Sequence, residues 1–224
     1  MKVNNILVIA PHPDDEVLGC GGTIGKLTSQ SNNVYVLIIT RGKEEIYPEE
    51  KILNVRNEAL AAHKLLGVRE TRFLDFPAPE LDLISISKLA TAISDVINEF
   101  QSETIYLPHH GDIHHDHKAV FNAGLVAARP TKSSPVKRVY SYETLSETEW
   151  AAPINSDAFI PTTYVNIANT FAAKLEAIKC FKSQLRDFPN SRSIESIEAL
   201  AKFRGCSVGF THAEAFMTIR VIID

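Results

Sequence analysis

The sequence predicts a mainly parallel, doubly wound α/β sheet with helices on both faces, and three observations carry that expectation. Short apolar runs of strand length alternate with longer stretches of helical spacing. The first run, residues 5–10, is continuously apolar, as suits a strand buried on both faces. At 224 residues, 45% hydrophobic and 22% charged, the chain suits one domain, spanning 1–224, that buries a full core without disulfides.

Residues 5–10 form the first strand, and Gly19 to Ser29 reads as a helix after a turn. VYVLIIT, 34–40, is the second strand. Helical spacing through Leu53, Ala59, Leu60 and Leu65 places a helix over 50–66 that stops at Gly67, before a short strand near Thr71 to Leu74. Ile84 to Phe100 is helical, TIYLP at 104–108 is a strand, His114 to Ala128 is a helix and 136–143 is a fifth strand. RPTKSSP, 129–135, is a surface loop. A loop-rich stretch over 145–161 precedes TYVNI, a helix over 169–184, a helical segment over 193–204 and a final strand in AFMTIRVII.

With a formal net charge of −4, nothing resembles a basic stripe able to neutralise a phosphate backbone, so nucleic acid is not an expected partner. MKVNNILVIAP is too brief an apolar start for a signal peptide, and no run approaches membrane-spanning length. Cys20, Cys180 and Cys206 are odd in number and lack CxxC pairing; each reads as a small buried hydrophobe in a reducing, cytoplasmic setting. The glycine run 19–25 follows a strand, but GxGxxG from Gly19 would need glycine where Ile24 stands. The second strand also ends in Thr40-Arg41, without an acidic ribose ligand. Those glycines instead let a helix approach the sheet.

Chemistry gathers at two strand ends. PHPDDE, 11–16, follows the first strand, where open α/β sheets bind ligands. His12, Asp14, Asp15 and Glu16 would repel one another as a mere turn, and a divalent cation would relieve that repulsion. PHHGDIHHDH, 108–117, follows the fourth strand and holds five of the eight histidines. His114 and His117, three apart at a helix start, can face the same crevice as His12. A His/Asp/His set suits zinc and leaves a position for water, as hydrolysis requires. His63, on a helix face with no acidic neighbour nearby, reads as a surface residue; His212 is open between structural and site-lining roles.

These residues resemble the PIG-L/LmbE-like deacetylases, zinc enzymes of Rossmann-like fold that remove acetyl groups from N-acetylated sugars and related amides. PHPDDE with LGCGGTI and HHDH at 114–117 are similar to the family's two signatures, and VRNEALAAHKLLGV at 55–68 to its Arg-containing helix. YETLSETEW, KLEAIKCFKSQLR and AEAFMTIR resemble its sugar-metabolic branch. The resemblance implies zinc on His12, Asp15 and His117, with Asp14 as the base rather than a ligand. It implies that His114, in protonated form, stabilises the oxyanion or protonates the departing amine, with Asp116 orienting it. Arg56 becomes a candidate substrate contact, and a homo-oligomer is compatible. Two positions depart from the pattern: His115 stands where proline is common, and TRGKEE at 40–45 where an Asp-Gly turn is frequent.

The leading expectation is therefore N-deacetylation of an N-acetylated sugar, free, lipid-linked or nucleotide-linked, or of a similar small amide, with Fe2+ as an alternative metal. Two other readings stand beside it. One is a metal-dependent sugar-binding module without turnover. The other is a phosphoesterase whose second metal draws ligands from His109, His110 or Asp112.

Overall fold

The computed structural model describes residues 3–154 and 157–223. Its seven-stranded sheet has the order β3-β2-β1-β4-β5-β7-β6. The strands are β1 (Asn5–Ala10), β2 (Asn33–Gly42), β3 (Glu70–Ala78), β4 (Thr104–Pro108), β5 (Arg138–Tyr142), β6 (Thr163–Asn166) and β7 (Ala213–Val221). β1 to β5 pair in parallel, while β7 runs antiparallel to both β5 and β6, so the expected doubly wound arrangement is present. The loop expected over 145–161 is described except for 155 and 156.

Alternation along β1 shows why its sequence is continuously apolar. Leu7 and Ile9 enter one core, beneath α3 (Ile86–Phe100) and α4 (His115–Ala127). Ile6, Val8 and Ala10 enter the other, beneath α1 (Asp15–Ser29), α2 (Glu49–Leu66), α5 (Phe171–Lys179) and α6 (Ile194–Cys206). A strand that feeds two cores has no face left for polar residues.

Helix ends follow local chemistry. Ser85 caps α3 by accepting from the Lys88 N–H, and α2 stops where Gly67 takes φ +75°, releasing its Val68 N–H to the His63 carbonyl. One boundary differs from expectation: α1 begins at Asp15, not Gly19. The Asp14 carbonyl accepts from Val17 and Leu18 at 3.0 and 2.9 Å, so the first helical turn closes inside the acidic motif. The glycines of α1 do permit close packing. A Cβ at Gly19 would lie 2.3 Å from the Tyr142 ring, and one at Gly22 2.7 Å from Ile167.

The cysteines correct a uniform expectation, since Cys20 is buried, Cys180 intermediate and Cys206 exposed. Among the described residues no helix is long and apolar enough to cross a membrane.

Candidate metal centre

The sheet order reverses direction between β1 and β4, and this opens a crevice at their carboxyl ends. The two polar motifs follow those two strands and meet there. Thr40, at the end of β2, donates its N–H and hydroxyl to the Pro11 carbonyl at 3.1 and 2.8 Å, holding the turn that carries His12.

His12, Asp15 and His117 present ligand atoms that all lie within 4.8 Å of one another. Asp15 Oδ2 accepts the His12 backbone N–H at 3.0 Å and lies 3.2 Å from both His12 Nδ1 and His117 Nε2. Asp15 Oδ1 and His117 Nε2 are buried without a hydrogen-bond partner. Buried polar atoms are rarely left so, and an unpaired carboxylate oxygen and imidazole nitrogen within one His/Asp/His group fit a divalent cation.

Each imidazole is braced from behind. His12 Nε2 meets Asp116 Oδ2 at 3.0 Å, and Asp116 Oδ1 accepts the Leu81 N–H at 2.9 Å. His117 Nδ1 meets Asp112 Oδ2 at 2.7 Å, while Asp112 Oδ1 accepts from the Thr148 hydroxyl at 2.6 Å. A carboxylate behind a ligating histidine fixes its orientation and raises its basicity. Burial alone would raise the Asp15 pKa, but the adjoining His117 and His12 outweigh it and hold the carboxyl well below the usual range.

Asp116 thus serves differently from the expected role. Its carboxylate orients His12, and only its backbone N–H reaches His114, donating to Nδ1 at 3.1 Å. With Nδ1 accepting, His114 carries its proton on Nε2. Burial, together with the neighbouring His12, pushes this imidazole down to about 4.

Asp14 is buried beside Asp15, and burial, reinforced by the charges of Asp15 and Glu16, pushes its carboxyl up to about 7 against the opposing pull of Arg192. Arg192 Nη1 hydrogen-bonds Asp14 Oδ2 directly, while Arg192 Nε donates to the Ser146 hydroxyl at 2.8 Å. Sequence reasoning missed Arg192: it lies in the segment before α6, beyond the recognisable KLEAIKCFKSQLR stretch, and no local spacing ties it to the first motif.

Four other expectations are corrected or resolved. Arg56 bridges β2 and β3, donating to the Thr40 and Leu74 carbonyls and to Asp75 and lying over Phe73. This is a brace, outside the His/Asp cluster. His63 is buried, not surface, with Nε2 2.8 Å from Glu16 Oε1; its acidic partner is adjacent in space rather than in sequence. His212 stacks on Phe171, which answers its open role as packing. The second-metal set does not assemble: Asp112 faces His117, and His109 Nε2 faces the Asp157 carbonyl at 2.9 Å. Among the described residues the other possible metal group, His12 with His114 and Asp116, shares His12 with the first.

Comparison with known proteins agrees with this geometry. The family model for GlcNAc-PI de-N-acetylase, PIG-L, matches residues 7–128. The uncharacterized deacetylase YaiS of Escherichia coli (strain K12) is 30% identical over 81% of this chain and 92% of its own length. A probable N-acetyl-alpha-D-glucosaminyl L-malate deacetylase 2 of Bacillus cereus is 30% identical over 80% and 83%. Among solved structures, the N,N'-diacetylchitobiose deacetylase of Pyrococcus horikoshii superposes with a TM-score of 0.79 over 98% of this chain and 85% of that one, at 22% identity, which speaks to the fold.

Proposed function

The chain belongs to the GlcNAc-PI de-N-acetylase (PIG-L) family and is a hydrolytic N-deacetylase; on that premise we propose that it removes an acetyl group from a small N-acetylated sugar, with zinc held by His12, Asp15 and His117. The observation that carries this reading is that ligand atoms of those three side chains all lie within 4.8 Å of one another, with no hydrogen-bond partner on Asp15 Oδ1 or His117 Nε2. The sugar substrates named for its relatives support the substrate class. The same donor set accommodates Fe2+.

When bound, the metal supplies Lewis acidity to water and to the amide carbonyl. The remaining work falls to the protein. Asp14 takes the proton of the attacking water, and Arg192 on Oδ2 holds the carboxylate in place as it does so. The His114 Nε2–H points its dipole at the amide oxygen as negative charge builds there. The water oxygen joins the acyl carbon, the C–N bond breaks, and the proton carried by Asp14 passes to the nitrogen, leaving a free amino sugar and acetic acid, which releases its remaining proton to solvent as acetate.

The test is release of primary amine from N-acetylglucosamine, its β-linked dimer and nucleotide-linked forms by zinc-loaded protein, beside Asp14→Asn at matched metal content. Turnover that vanishes in the variant supports the reading. Undiminished turnover by Asp14→Asn, or none by the wild type across the panel with one zinc bound, overturns it.

A further inference from the structure

His63 belongs to no part of the mechanism above, yet it is 2% exposed and has both ring nitrogens engaged. It projects from α2. Its Nδ1 lies 2.8 Å from the Thr71 hydroxyl on β3, and its Nε2 lies 2.8 Å from Glu16 Oε1. With the Thr71 hydroxyl able to donate to Nδ1, Nε2 is left to donate to the Glu16 oxygen. The second Glu16 oxygen, Oε2, accepts the backbone N–H of Asp14 at 3.1 Å. A continuous chain therefore runs from Thr71 through His63 and Glu16 to the backbone of Asp14.

That backbone requires holding. Asp14 has φ +122° and ψ −30°, a conformation that side-chain-bearing residues rarely adopt and that persists only when its surroundings impose it. Asp14 also carries no side-chain cap bond to α1, so its carboxylate is directed to Arg192 instead of the helix N-terminus. An ordinary N-cap geometry would turn the same carboxylate onto the helix amides. Glu16, itself fully buried, holds the amide that sets this turn, and His63 is the group that fixes Glu16.

We propose that His63 is a positioning residue for the deacetylation: through Glu16 it locks the strained Asp14 backbone and thereby aims the Asp14 carboxylate. This rests on the reading of Asp14 as the base. Displacing a reacting group by about 1 Å costs on the order of 100-fold in rate, so the effect belongs in kcat and not in substrate binding.

The experiment compares His63→Leu, which keeps bulk but cannot donate, with His63→Gln, whose amide nitrogen can still donate to Glu16. Amine release is followed on whichever of N-acetylglucosamine or its dimer the wild type turns over, with metal content and melting temperature recorded. Independently of turnover, hydrogen exchange of the Asp14 amide is read by NMR. The expected result for His63→Leu is a kcat fall of about 10- to 100-fold, KM within about twofold, one metal retained and lost protection of the Asp14 amide; His63→Gln regains most of both.

Wild-type kcat and amide protection in folded His63→Leu would overturn the proposal, as would a kcat loss that merely tracks lost metal or that His63→Gln does not recover. If His63→Leu does not fold, Thr71→Val frees Nδ1 without touching Glu16; a several-fold kcat loss at constant KM supports the chain, and no change sinks it. Asp14→Asn separates the two levels. If it stays active the base reading fails, whereas an inert Asp14→Asn beside a fully active His63→Leu removes only the positioning role.

Discussion

Arg192 reaches back across 178 residues of sequence to hydrogen-bond the carboxylate of Asp14, joining the segment before α6 to the first turn after β1. Its Nε is fixed by Ser146, and Nη2 stands 3.8 Å from Glu147. Replacing Arg192 by Met would leave the buried Asp14 without its cation and free the carboxylate to swing. The expected outcome is a loss of about 10- to 100-fold in kcat with metal content unchanged, checked by steady-state kinetics beside metal analysis.

Without a cation, Asp15 Oδ1 and His117 Nε2 are buried with no hydrogen-bond partner. A chelator is therefore expected to lower the melting temperature, and added zinc to restore it. At a free-metal concentration of 1,000 times Kd the stabilisation is about 4 kcal/mol. Calorimetry with and without chelator reads this, and a melting temperature indifferent to metal would contradict the assignment of these ligands.

Asp112 and Asp116 stand behind different ligands, on His117 and His12 respectively. Replacing Asp112 by Ala is expected to weaken metal affinity about 10- to 100-fold, measured by competition with a chromophoric chelator. Asp116→Ala should weaken it comparably through His12, while the main-chain N–H that reaches His114 stays in place.

Gly19 packs against Tyr142, whose hydroxyl donates to the Ile9 carbonyl at 2.9 Å. Because an added Cβ would sit 2.3 Å from that ring, Gly19→Ala is expected to cost about 1–3 kcal/mol of stability. Urea denaturation checks it, and a neutral result would mean that the ring can shift without loosening α1 from the sheet.

The three thiols should separate by environment. Burial raises the Cys20 thiol well above its ordinary pKa, while Cys206 is exposed. A thiolate-specific reagent is expected to label Cys206 first, Cys180 more slowly and Cys20 only after unfolding. Peptide mapping of the labelled native protein reads the order.

What the sequence determined by itself was the part written in local periodicity and in short dense motifs. The continuous apolar run of β1 signalled a strand with two buried faces, and the dense motifs PHPDDE and HHDH at strand ends marked where a candidate metal group would lie, the family resemblance implying His12, Asp15 and His117 within them. Even there the start of α1 was misplaced, since Asp14 enters the helix through a backbone angle that no residue pattern announces.

Only the tertiary structure decided which groups support that cluster. Glu16 and His63 are 47 residues apart, His12 and Asp116 are 104 apart, and Asp14 and Arg192 are 178 apart. Each pair is made by elements that the sheet order brings to one crevice. A charged side chain reads as solvent-facing until its partner is known, which is why His63 reads as a surface residue in sequence and is buried against Glu16 and Thr71 in the structure. Hydrogen bonds and ion pairs are satisfied in space, and the chain encodes their partners only through the packing of strands and helices that lie between them.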